Sequence, residues 1–257
     1  MAVDLDRPVR RLLPEPDRTT IGTQLGGLDL SGRAREDRPY VVTNFALTLD
    51  GHATISGRSG AIGSDADTTM LVGLRTLVDA VMIGGGTMRA ERYGPPVSDP
   101  AKRELRQRRG LAPNPLMVVV SGSLDIPWDA PLFTAGEGEV LICTSSDADP
   151  PATATPVELF RQPDRCDLRR LLGHLRADRE VRALLCEGGP RIHGELVERG
   201  LVDELYVTHA PKLGGGVGPG LIAGLPEHER DLELAWLLAE ESTGELFGRY
   251  LTGAMDG

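Results

Sequence analysis

VMIGGGTMRAE (Val81 to Glu91) joins an apolar strand pattern to three consecutive glycines and a threonine. LLCEGGPRIHGE (Leu184 to Glu195) repeats the arrangement, with an apolar run, two glycines and a helical pattern. Glycines at such a junction let the backbone approach a diphosphate without clashes from Cβ atoms, and the N–H groups at the start of the helix favour an anion. Because ligands of α/β folds bind where strands end and helices begin, two such junctions on neighbouring strands would flank a single dinucleotide.

A regular alternation of strand and helix patterns begins at Tyr40. Strands are predicted by the apolar, β-branched runs YVVTNFALTL, AVMIG, PLMVVVSG, EVLICTSS, TPVELF and VRALLCEGG. Helices are predicted by apolar residues at three- to four-residue spacing in SDADTTMLVGLRTLVDA, CDLRRLLGHLRADRE and PRIHGELVERG. No helical pattern separates the last strand patterns, which are VDELYVTHAP, DLELAWLLAEE and ELFGRYL. The sequence therefore predicts an α/β fold with a mostly parallel central sheet, flanking helices and an antiparallel C-terminal hairpin.

The composition argues against several classes of function. The net charge is −10 and the isoelectric point is about 5.0, whereas a general nucleic-acid binder needs a basic surface. No stretch approaches about 18 uninterrupted apolar residues, so no segment is predicted to cross a membrane. The three cysteines have no CxxC spacing, which argues against a disulfide framework and a zinc site. Since the N-terminus also lacks the apolar core of a signal peptide, we expect a cytoplasmic protein without a bound metal.

The first 38 residues differ from the rest of the chain in composition and in hydrophobic pattern. They are rich in Arg, Pro, Asp and Gly and show no sustained period. We expect residues 1–38 to be an N-terminal arm or a loosely packed extension, either a partly disordered tail or a docking arm. No internal repeat divides the remaining residues, which predicts a single domain over residues 39–257.

Standard nucleotide and metal motifs do not account for the glycine junctions. Gly84 and Gly86 fit the GxGxxG pattern, but its last position is Arg89, and no lysine follows a glycine as in a Walker loop. The tripeptide HGE at residues 193–195 spells half of a zinc deaminase motif, yet no cysteine follows it. A GxSxG nucleophile elbow is also absent.

The junctions occur together with Leu-Asp-Gly at residues 49–51, where a strand pattern ends. An Asp-Gly dipeptide is usually a turn, and the alternative role of Asp50 is a carboxylate at the strand edge that faces substrate. With these segments in order, the chain resembles the reductase family of riboflavin biosynthesis. That family includes the C-terminal half of the bifunctional deaminase-reductase and its stand-alone relatives. The resemblance spans roughly residues 39 to 216 and rests on PYVVTNFALTLDG, DAVMIGGGT, PLMVVVS, LLCEGGP and LVDELYVTHAPKLGG.

The resemblance implies a dihydrofolate-reductase-like fold that binds NADPH, usually as a homodimer. It implies a set of cofactor-binding positions, which are Ala46, Gly84, Gly85, Gly86, Thr87, Glu91, Ser121, Gly188, Gly189, Pro190, Arg191, Ile192 and His193. The phosphates of the cofactor would be held by the Gly-Gly pair and the start of the helix that follows it. The substrate, a small molecule of the pyrimidine or pterin type, would face Asn44, Ser59, Arg75 and Glu187. A guanidinium fork such as that of Arg75 suits a phosphate or another anionic group.

The chain departs from the family pattern after Thr87. The family commonly continues Asp-Asp-Pro-x-Leu-Thr-x-Arg, whose Leu and Arg help to hold a ribosyl phosphate, whereas this chain has ERYGPP at residues 91–96. The downstream Arg is missing from its usual place, and Arg92 would substitute for it only partly. The change bears more on the identity of the substrate than on the use of the cofactor. The deaminase half has no counterpart, because 38 residues are too few to hold it.

Hydride transfer from a nicotinamide needs a defined geometry and a proton. Asp50 and Glu187 are candidate general acids, since a carboxyl group shielded from water has a raised pKa. The alternative role of either carboxylate is a hydrogen bond to a ribose hydroxyl or a pyrimidine amine. The leading hypothesis is an NADPH-dependent reductase resembling 5-amino-6-(5-phosphoribosylamino)uracil reductase, acting on a pyrimidine ribosylamine or a related heterocycle. The alternatives are a dihydrofolate or pterin reductase on the same fold and a non-catalytic NADPH-binding protein.

Overall fold

The computed structural model describes residues 3–224 and 229–253, which divide into two units. The first unit draws on residues 3–28, 41–74 and the described residues from 190 to 253. The second draws on Asp29–Tyr40 and Arg75–Gly189. The predicted division at residues 38 and 39 stays a prediction, and both ends of the chain (1–2 and 254–257) lie outside the described residues.

The second unit is built on a parallel sheet in the order β8–β4–β5–β6–β7. Its strands are β4 (Ala80–Gly84), β5 (Leu116–Val120), β6 (Val140–Thr144), β7 (Val157–Arg161) and β8 (Ala183–Cys186). β4, β6 and β8 are buried along their whole length, which is why the sequence shows apolar runs there rather than alternation. The helices are α3 (Gly85–Glu91), α4 (Pro100–Arg108), α5 (Pro131–Thr134) and α6 (Leu168–Ala177).

The first unit contains a mixed sheet in the order β2–β1–β10–β11–β9–β3. Its strands are β1 (Pro8–Leu13), β2 (Asp17–Thr20), β3 (Tyr40–Thr48), β9 (Glu204–Ala210), β10 (Glu233–Glu240) and β11 (Glu245–Leu251). β3 and β9 run parallel, whereas the other neighbours are antiparallel. The helices are α1 (Ile21–Gly26), α2 (Asp65–Arg75), whose last residue opens the second unit, and α7 (Pro190–Glu198). The predicted α/β class, the mostly parallel pairing and the antiparallel hairpin of β10 and β11 are confirmed.

The N-terminal segment is more regular than the sequence predicts. β1 pairs with both β2 and β10, and Thr20 caps α1 by accepting a hydrogen bond from the backbone N–H of Thr23 at 3.1 Å. Ile21 and Leu25 of α1 are buried. Residues 8–26 thus form short strands and a helix that are stabilised by a partner from the far end of the chain, and the boundary of the predicted extension stays a prediction. Elements of four to six residues are too short for a hydrophobic period to be detected in their sequence.

The helix predicted by SDADTTMLVGLRTLVDA ends at Arg75 rather than near Ala80. Arg106 of α4 is fully buried and donates hydrogen bonds to the carbonyl oxygens of Arg75 and Val78. These carbonyl groups thus find a partner from outside the helix, so the chain can leave the helical path without burying unpaired oxygens. Burial lowers the pKa of the Arg106 guanidinium to about 10. No helix in the described ranges is both long and apolar enough to span a membrane.

We predict that Arg106→Met destabilises the protein by about 3 kcal/mol, because three buried carbonyl oxygens lose their donor. These belong to Arg75, Val78 and Ala112, which accepts from Arg106 Nε at 2.8 Å. The measurement is urea unfolding followed by far-ultraviolet circular dichroism. Arg108→Met on the same helix is the matched control and should change stability by less than about 0.5 kcal/mol, since that side chain is 66% exposed. Equal effects of the two substitutions would contradict the assignment.

Two acidic side chains lie close together where α2 meets β11. Glu245 accepts hydrogen bonds from Ser64 through its backbone N–H at 2.7 Å and its hydroxyl at 2.5 Å. Asp67 lies beside it, with Oδ1 shielded from solvent. Burial, as the largest cause, and repulsion from Glu245 raise the pKa of Asp67 to about 6. The folded protein therefore holds this proton more tightly than the unfolded chain does.

The raised pKa of Asp67 predicts a defined pH dependence of stability. The folded state binds more protons than the unfolded state between about pH 4 and about pH 6, so the stability contributed by Asp67 falls as the pH rises through that window. The difference in unfolding free energy between wild type and Asp67→Asn should change by about 2 kcal/mol across it. Asp65→Asn, at an exposed position on the same helix, is the matched control. A pH-independent difference for Asp67→Asn would refute the shift.

Candidate active site

The glycine junctions of the second unit meet at one edge of its parallel sheet. β4 lies between β8 and β5, and all three strands point the same way, so their carboxyl ends share an edge. The backbone N–H of Gly84 donates to the carbonyl oxygen of Gly188 at 2.9 Å, which fixes the two junctions against each other. Ser121 continues β5, where its N–H donates to Cys143 at 2.9 Å. This edge is where ligands bind in parallel α/β sheets.

Close contacts at this edge require glycine at two positions. A methyl group on Gly189 would lie 2.9 Å from Thr87 Oγ1, and one on Gly85 would lie 2.9 Å from Ser121 Oγ. Gly188 has a φ of +108°, which disfavours any residue with a side chain, and the peptide bond that follows it is cis. The structure therefore brings together seven predicted cofactor residues, Gly84, Gly85, Gly86, Thr87, Ser121, Gly188 and Gly189.

Gly86 differs from its neighbours because it is exposed. A methyl group there would have only Arg89 Nη2 within 4 Å, at 3.9 Å. The space in front of the Gly86 backbone is thus open on the side where a Cβ atom would project. An open glycine at a strand end leaves room for a ligand group to reach the backbone.

A buried ion pair lies beside the carboxyl ends of β8, β4 and β5, which we call the glycine edge. Arg75 donates from Nε and Nη2 to the two carboxylate oxygens of Glu187, both at 2.6 Å, and from Nη1 to the carbonyl oxygen of Pro96 at 2.8 Å. The side chains are 13% and 3% exposed. The ring of Tyr93 lies over the guanidinium, with its centroid 5.8 Å from Cζ. We call Arg75, Tyr93, Pro96 and Glu187 the Tyr93 cluster.

Tyr93 is the aromatic residue of this cluster, with its ring over the Arg75 guanidinium. Burial, and after it the negative charge of Glu187, raise the pKa of Tyr93 well above its ordinary value. The hydroxyl therefore stays protonated near neutral pH. Sequence reasoning missed Tyr93, although the departure from the family spelling at residues 91–96 was the signal that pointed to it.

The pairing with Glu187 changes what Arg75 can do. Sequence reasoning assigned its guanidinium to an anionic group of the substrate, but the structure gives it a carboxylate of the chain itself. Its Nε, Nη1 and Nη2 groups donate to Glu187 and Pro96. Both oxygens of Glu187 likewise accept hydrogen bonds from Arg75, so this carboxylate acts as an acceptor within the cluster.

Asp50 lies at the end of β3 in the first unit. Its carboxylate accepts hydrogen bonds from the Thr48 hydroxyl at 2.6 Å and from the backbone N–H groups of Gly214 and Gly215 at 2.9 and 2.8 Å. These bonds, that of Thr48 first, hold the pKa of Asp50 well below its usual range. A general acid must carry a proton near neutral pH, which these hydrogen bonds disfavour for Asp50, and its candidate role as proton donor stays a prediction. Asp50 fastens the loop after β9.

The other predicted residues of the first unit lie on β3 and in the loop of residues 49–64 that follows it. Asn44 is buried on β3, and its Nδ2 has no hydrogen-bond partner among the described residues. Ala46 is half-buried on the same strand, two residues further on. Ser59 is exposed, and its carbonyl oxygen accepts from the N–H of Ile62 at 2.9 Å. Sequence reasoning missed Lys212, whose ammonium fixes this loop by donating to the carbonyl oxygens of Ala61 and Ile62.

The predicted residues at the start of α7 divide into exposed and buried positions. Arg191 is exposed, whereas Pro190 and Ile192 are half-buried. His193 is fully buried, its ring is stacked on Phe45 at a centroid distance of 4.6 Å, and its Nδ1–H donates to the carbonyl oxygen of Leu221. Burial lowers the pKa of His193 to about 4, so the ring is neutral. Any contact of His193 with a cofactor therefore falls to its backbone and not to its imidazole.

The arginines of the segment after Gly86 have acidic partners. Arg89 pairs with Asp125 at 3.3 Å, and Arg92 pairs with Asp129 at 2.9 Å. Arg92, considered as a partial substitute for the missing family arginine, is thus held towards the loop after β5. Glu91 is half-buried at the end of α3, close enough to Tyr93 for its charge to act on that hydroxyl.

The order of strands and the glycine edge can be compared with known families. The family described as the RibD C-terminal domain matches residues 39–241. The chain belongs to this family. The RibD C-terminal domain thus covers both units of the chain in part, and the predicted resemblance to the reductases of riboflavin biosynthesis is confirmed.

Relatives with assigned activities agree with this placement. The chain is 33% identical over 185 residues to the 2,5-diamino-6-ribosylamino-4(3H)-pyrimidinone 5′-phosphate reductase of Archaeoglobus fulgidus, covering 70% of this chain and 83% of that protein. It is 30% identical over 197 residues to the riboflavin biosynthesis protein RibD of Bacillus amyloliquefaciens, covering 74% of this chain and 50% of that protein. The chain therefore spans about half the length of that relative. The predicted enzyme class, an oxidoreductase, is confirmed.

A solved structure is similar to this member of the RibD C-terminal domain family over most of the chain. A pyrimidine reductase-like protein of Corynebacterium diphtheriae is 26% identical, with a TM-score of 0.74, and the match covers 88% of this chain and 95% of that one. The match extends beyond the region of the family model, so it includes elements outside residues 39–241.

We predict that Asp50→Ala releases the loop after β9. Gly214 and Gly215 would lose the acceptor of their N–H groups, so hydrogen exchange of both amides should become at least about tenfold faster. Asp17→Ala is the matched control, because Asp17 is exposed in the same unit and contacts only Arg11 at 3.6 Å. Unchanged exchange at both glycines in Asp50→Ala would show that the carboxylate does not hold the loop.

Proposed function

We propose that the protein is an NADPH-dependent reductase of 5-amino-6-(5-phosphoribosylamino)uracil or of the closely similar 2,5-diamino-6-ribosylamino-4(3H)-pyrimidinone 5′-phosphate. The observation that carries the proposal is the sheet edge where β8, β4 and β5 end in glycine and serine, in a chain of the RibD C-terminal domain family. The relative from Archaeoglobus fulgidus is named for the second of these substrates.

The residues at the glycine edge fit a cofactor that carries a diphosphate. Gly84 and Gly188 are joined through their backbones, and Gly86 leaves its outer side open to a ligand. The hydroxyl groups of Thr87 and Ser121 lie against Gly189 and Gly85, where they can donate to phosphate oxygens. When bound, NADPH supplies the hydride. The chain supplies the surface that positions it and excludes water from the reacting carbon.

Other groups of the chain suit the remaining parts of a pyrimidine ribosylamine. In the second unit, the Tyr93 cluster places a largely buried guanidinium next to an aromatic ring. In the first unit, the Nδ2 group of Asn44 is a buried donor without a partner among the described residues. A buried donor of this kind costs about 1–3 kcal/mol unless a ligand satisfies it, which favours a substrate with hydrogen-bond acceptors. We further propose a homodimer in the cytoplasm, in line with the family resemblance and the cysteine usage.

Turnover tests the proposal directly. Purified protein with NADPH should oxidise the cofactor when either pyrimidine ribosylamine phosphate is added, and should not do so with dihydrofolate. Oxidation with dihydrofolate alone would favour the pterin alternative. Tight NADPH binding without turnover of any of the three compounds would favour a non-catalytic role, and the absence of NADPH binding at hundreds of micromolar would reject the proposal.

We predict that Gly86→Ala weakens NADPH binding by at least about tenfold, because the added methyl group would occupy space that the cofactor needs. The folded protein itself accommodates this methyl group, since the nearest side-chain atom is 3.9 Å away. Isothermal titration with NADPH is the measurement, with thermal unfolding to confirm the fold. Gly26→Ala on α1 is the matched control, because nothing lies within 4 Å of its added methyl group. Unchanged affinity in Gly86→Ala would place the cofactor elsewhere.

A further inference from the structure

One face of the sheet in the first unit is open to solvent at Ala46. β3 is buried along its length except at this small residue, which is half-buried. Ala46 is aligned with Thr208 of β9, and Thr208 is aligned with Phe247 of β11. Because aligned residues share a face and side chains alternate along each strand, Asn44 and Glu245 lie on this face as well. We call it the Ala46 face.

Helix α2 begins over the Ala46 face. The backbone N–H of Ser64 donates to the Glu245 carboxylate at 2.7 Å, and the Ser64 hydroxyl donates to it at 2.5 Å. Lys212, two residues after β9, fixes the loop before α2 by donating to the carbonyl oxygens of Ala61 and Ile62 at 2.9 and 2.7 Å. The start of α2 is therefore held against this face from β11 and from the end of β9.

The first turn of α2 carries Asp67, whose carboxyl group is shielded but not sealed. Oδ1 is buried and has no hydrogen-bond partner among the described residues, whereas the residue as a whole is half-buried. A methyl group on Gly63 would collide with this carboxyl group, so glycine at that position leaves room for it. Burial raises the pKa of Asp67 to about 6; the nearby Thr208 hydroxyl opposes this, the charge of Glu245 adds to it, and the charge of Lys212 opposes it.

Two further buried polar groups of the Ala46 face have no hydrogen-bond partner among the described residues. They are the Nδ2 group of Asn44 and the hydroxyl of Thr208, which makes no hydrogen bond of ordinary geometry with Asp67. A buried polar group without a partner destabilises a protein unless a ligand or water completes its hydrogen bonds. An amide donor, a hydroxyl group and a carboxyl group around an open position therefore favour a polar ligand.

The proposed reaction requires a proton for the ribose ring as well as a hydride. When a ribosylamine is reduced, the C1′–O4′ bond breaks and its electron pair passes to O4′, which takes up the proton and becomes a hydroxyl group. C1′ gains the hydride that NADPH supplies. The carboxylates of Asp50 and Glu187 already accept hydrogen bonds at both oxygens, whereas Oδ1 of Asp67 accepts none. Asp67 therefore has an oxygen that can carry and deliver a proton.

We propose that Asp67 is the catalytic proton donor of this reduction and protonates the ribose oxygen of a substrate that Asn44 and Thr208 hold on the Ala46 face. The inference rests on the proposed function for the class of substrate. It goes beyond that function by naming the acid, a residue that neither the family resemblance nor the sequence patterns indicated. Because only the protonated carboxyl group can donate, the reaction slows as the pH rises through about 6.

Proton uptake on binding tests the contact between Asp67 and the substrate without turnover. The full chain, saturated with NADP⁺, is titrated calorimetrically with 2,5-diamino-6-ribosylamino-4(3H)-pyrimidinone 5′-phosphate at about pH 7 in buffers of different ionisation enthalpy. A bound substrate shields the carboxyl group further, so wild type should take up about half a proton more than Asp67→Asn does. Asp65→Asn, the same substitution at an exposed position of α2, is the matched control and should behave as wild type does.

The outcomes of this titration separate the inference from the proposed function. Substrate binding with equal proton uptake in wild type and Asp67→Asn would overturn the role of Asp67 and leave the proposed function standing. An absence of binding of either pyrimidine ribosylamine phosphate to wild type would reject the proposed function, and the inference with it.

Single-turnover oxidation of NADPH tests the donation itself. The wild-type rate should fall about tenfold for each pH unit above about pH 6. Asp67→Asn should be at least about a hundredfold slower at pH values near 6 and should lose this pH dependence, whereas Asp67→Glu, which keeps a carboxyl group, should recover part of the rate. Affinity for NADPH should stay unchanged in both variants. A rate of Asp67→Asn within about threefold of wild type, or one that keeps the wild-type pH dependence, would overturn the proposal.

Discussion

The close approach of backbones at the ends of β8, β4 and β5 is the constraint on which the second unit depends. Gly84 and Gly188 are joined by a 2.9 Å hydrogen bond, and Gly189 leaves no room for a methyl group beside Thr87. Side chains at these positions would push the strand ends apart. The neighbouring Gly86 is exposed at the edge where parallel sheets bind ligands. Packing and ligand approach therefore require the same residue type, which is why glycine recurs at both junctions.

Buried guanidinium groups satisfy hydrogen-bond acceptors both near this edge and in other parts of the chain. Arg75 meets Glu187, Arg249 of the first unit meets Glu204 with hydrogen bonds of 2.6 and 2.8 Å, and Arg106 meets only carbonyl oxygens. A planar fork with five donors can satisfy several acceptors at once, which an ammonium group does less well. The composition reflects this use, since Lys102 and Lys212 are the only lysines of the chain. These three arginines thus serve for internal order in a chain whose net charge is −10.

Most of the fold could be predicted from local patterns, and the exceptions have physical causes. Long apolar runs and amphipathic periods predicted β3 to β11 and the helices α2, α6 and α7, because burial on two faces or on one stripe leaves a clear signature. β1, β2 and α1 were not predicted, since four to six residues show no period and their stability comes from pairing with β10. The end of α2 was also misplaced, because the carbonyl groups there are satisfied by Arg106, a residue 31 positions away.

The sequence by itself determined the α/β class, the two glycine junctions and the family, because each is written in residues that are near one another along the chain. Only the tertiary structure decided the chemical state of the candidate site residues. Asp50 is an ionised loop fastener because two N–H groups from residues 214 and 215 converge on it, and Arg75 is neutralised because the end of β8 brings Glu187 to it. Charge and hydrogen bonding depend on partners more than a hundred residues away, which no local pattern records.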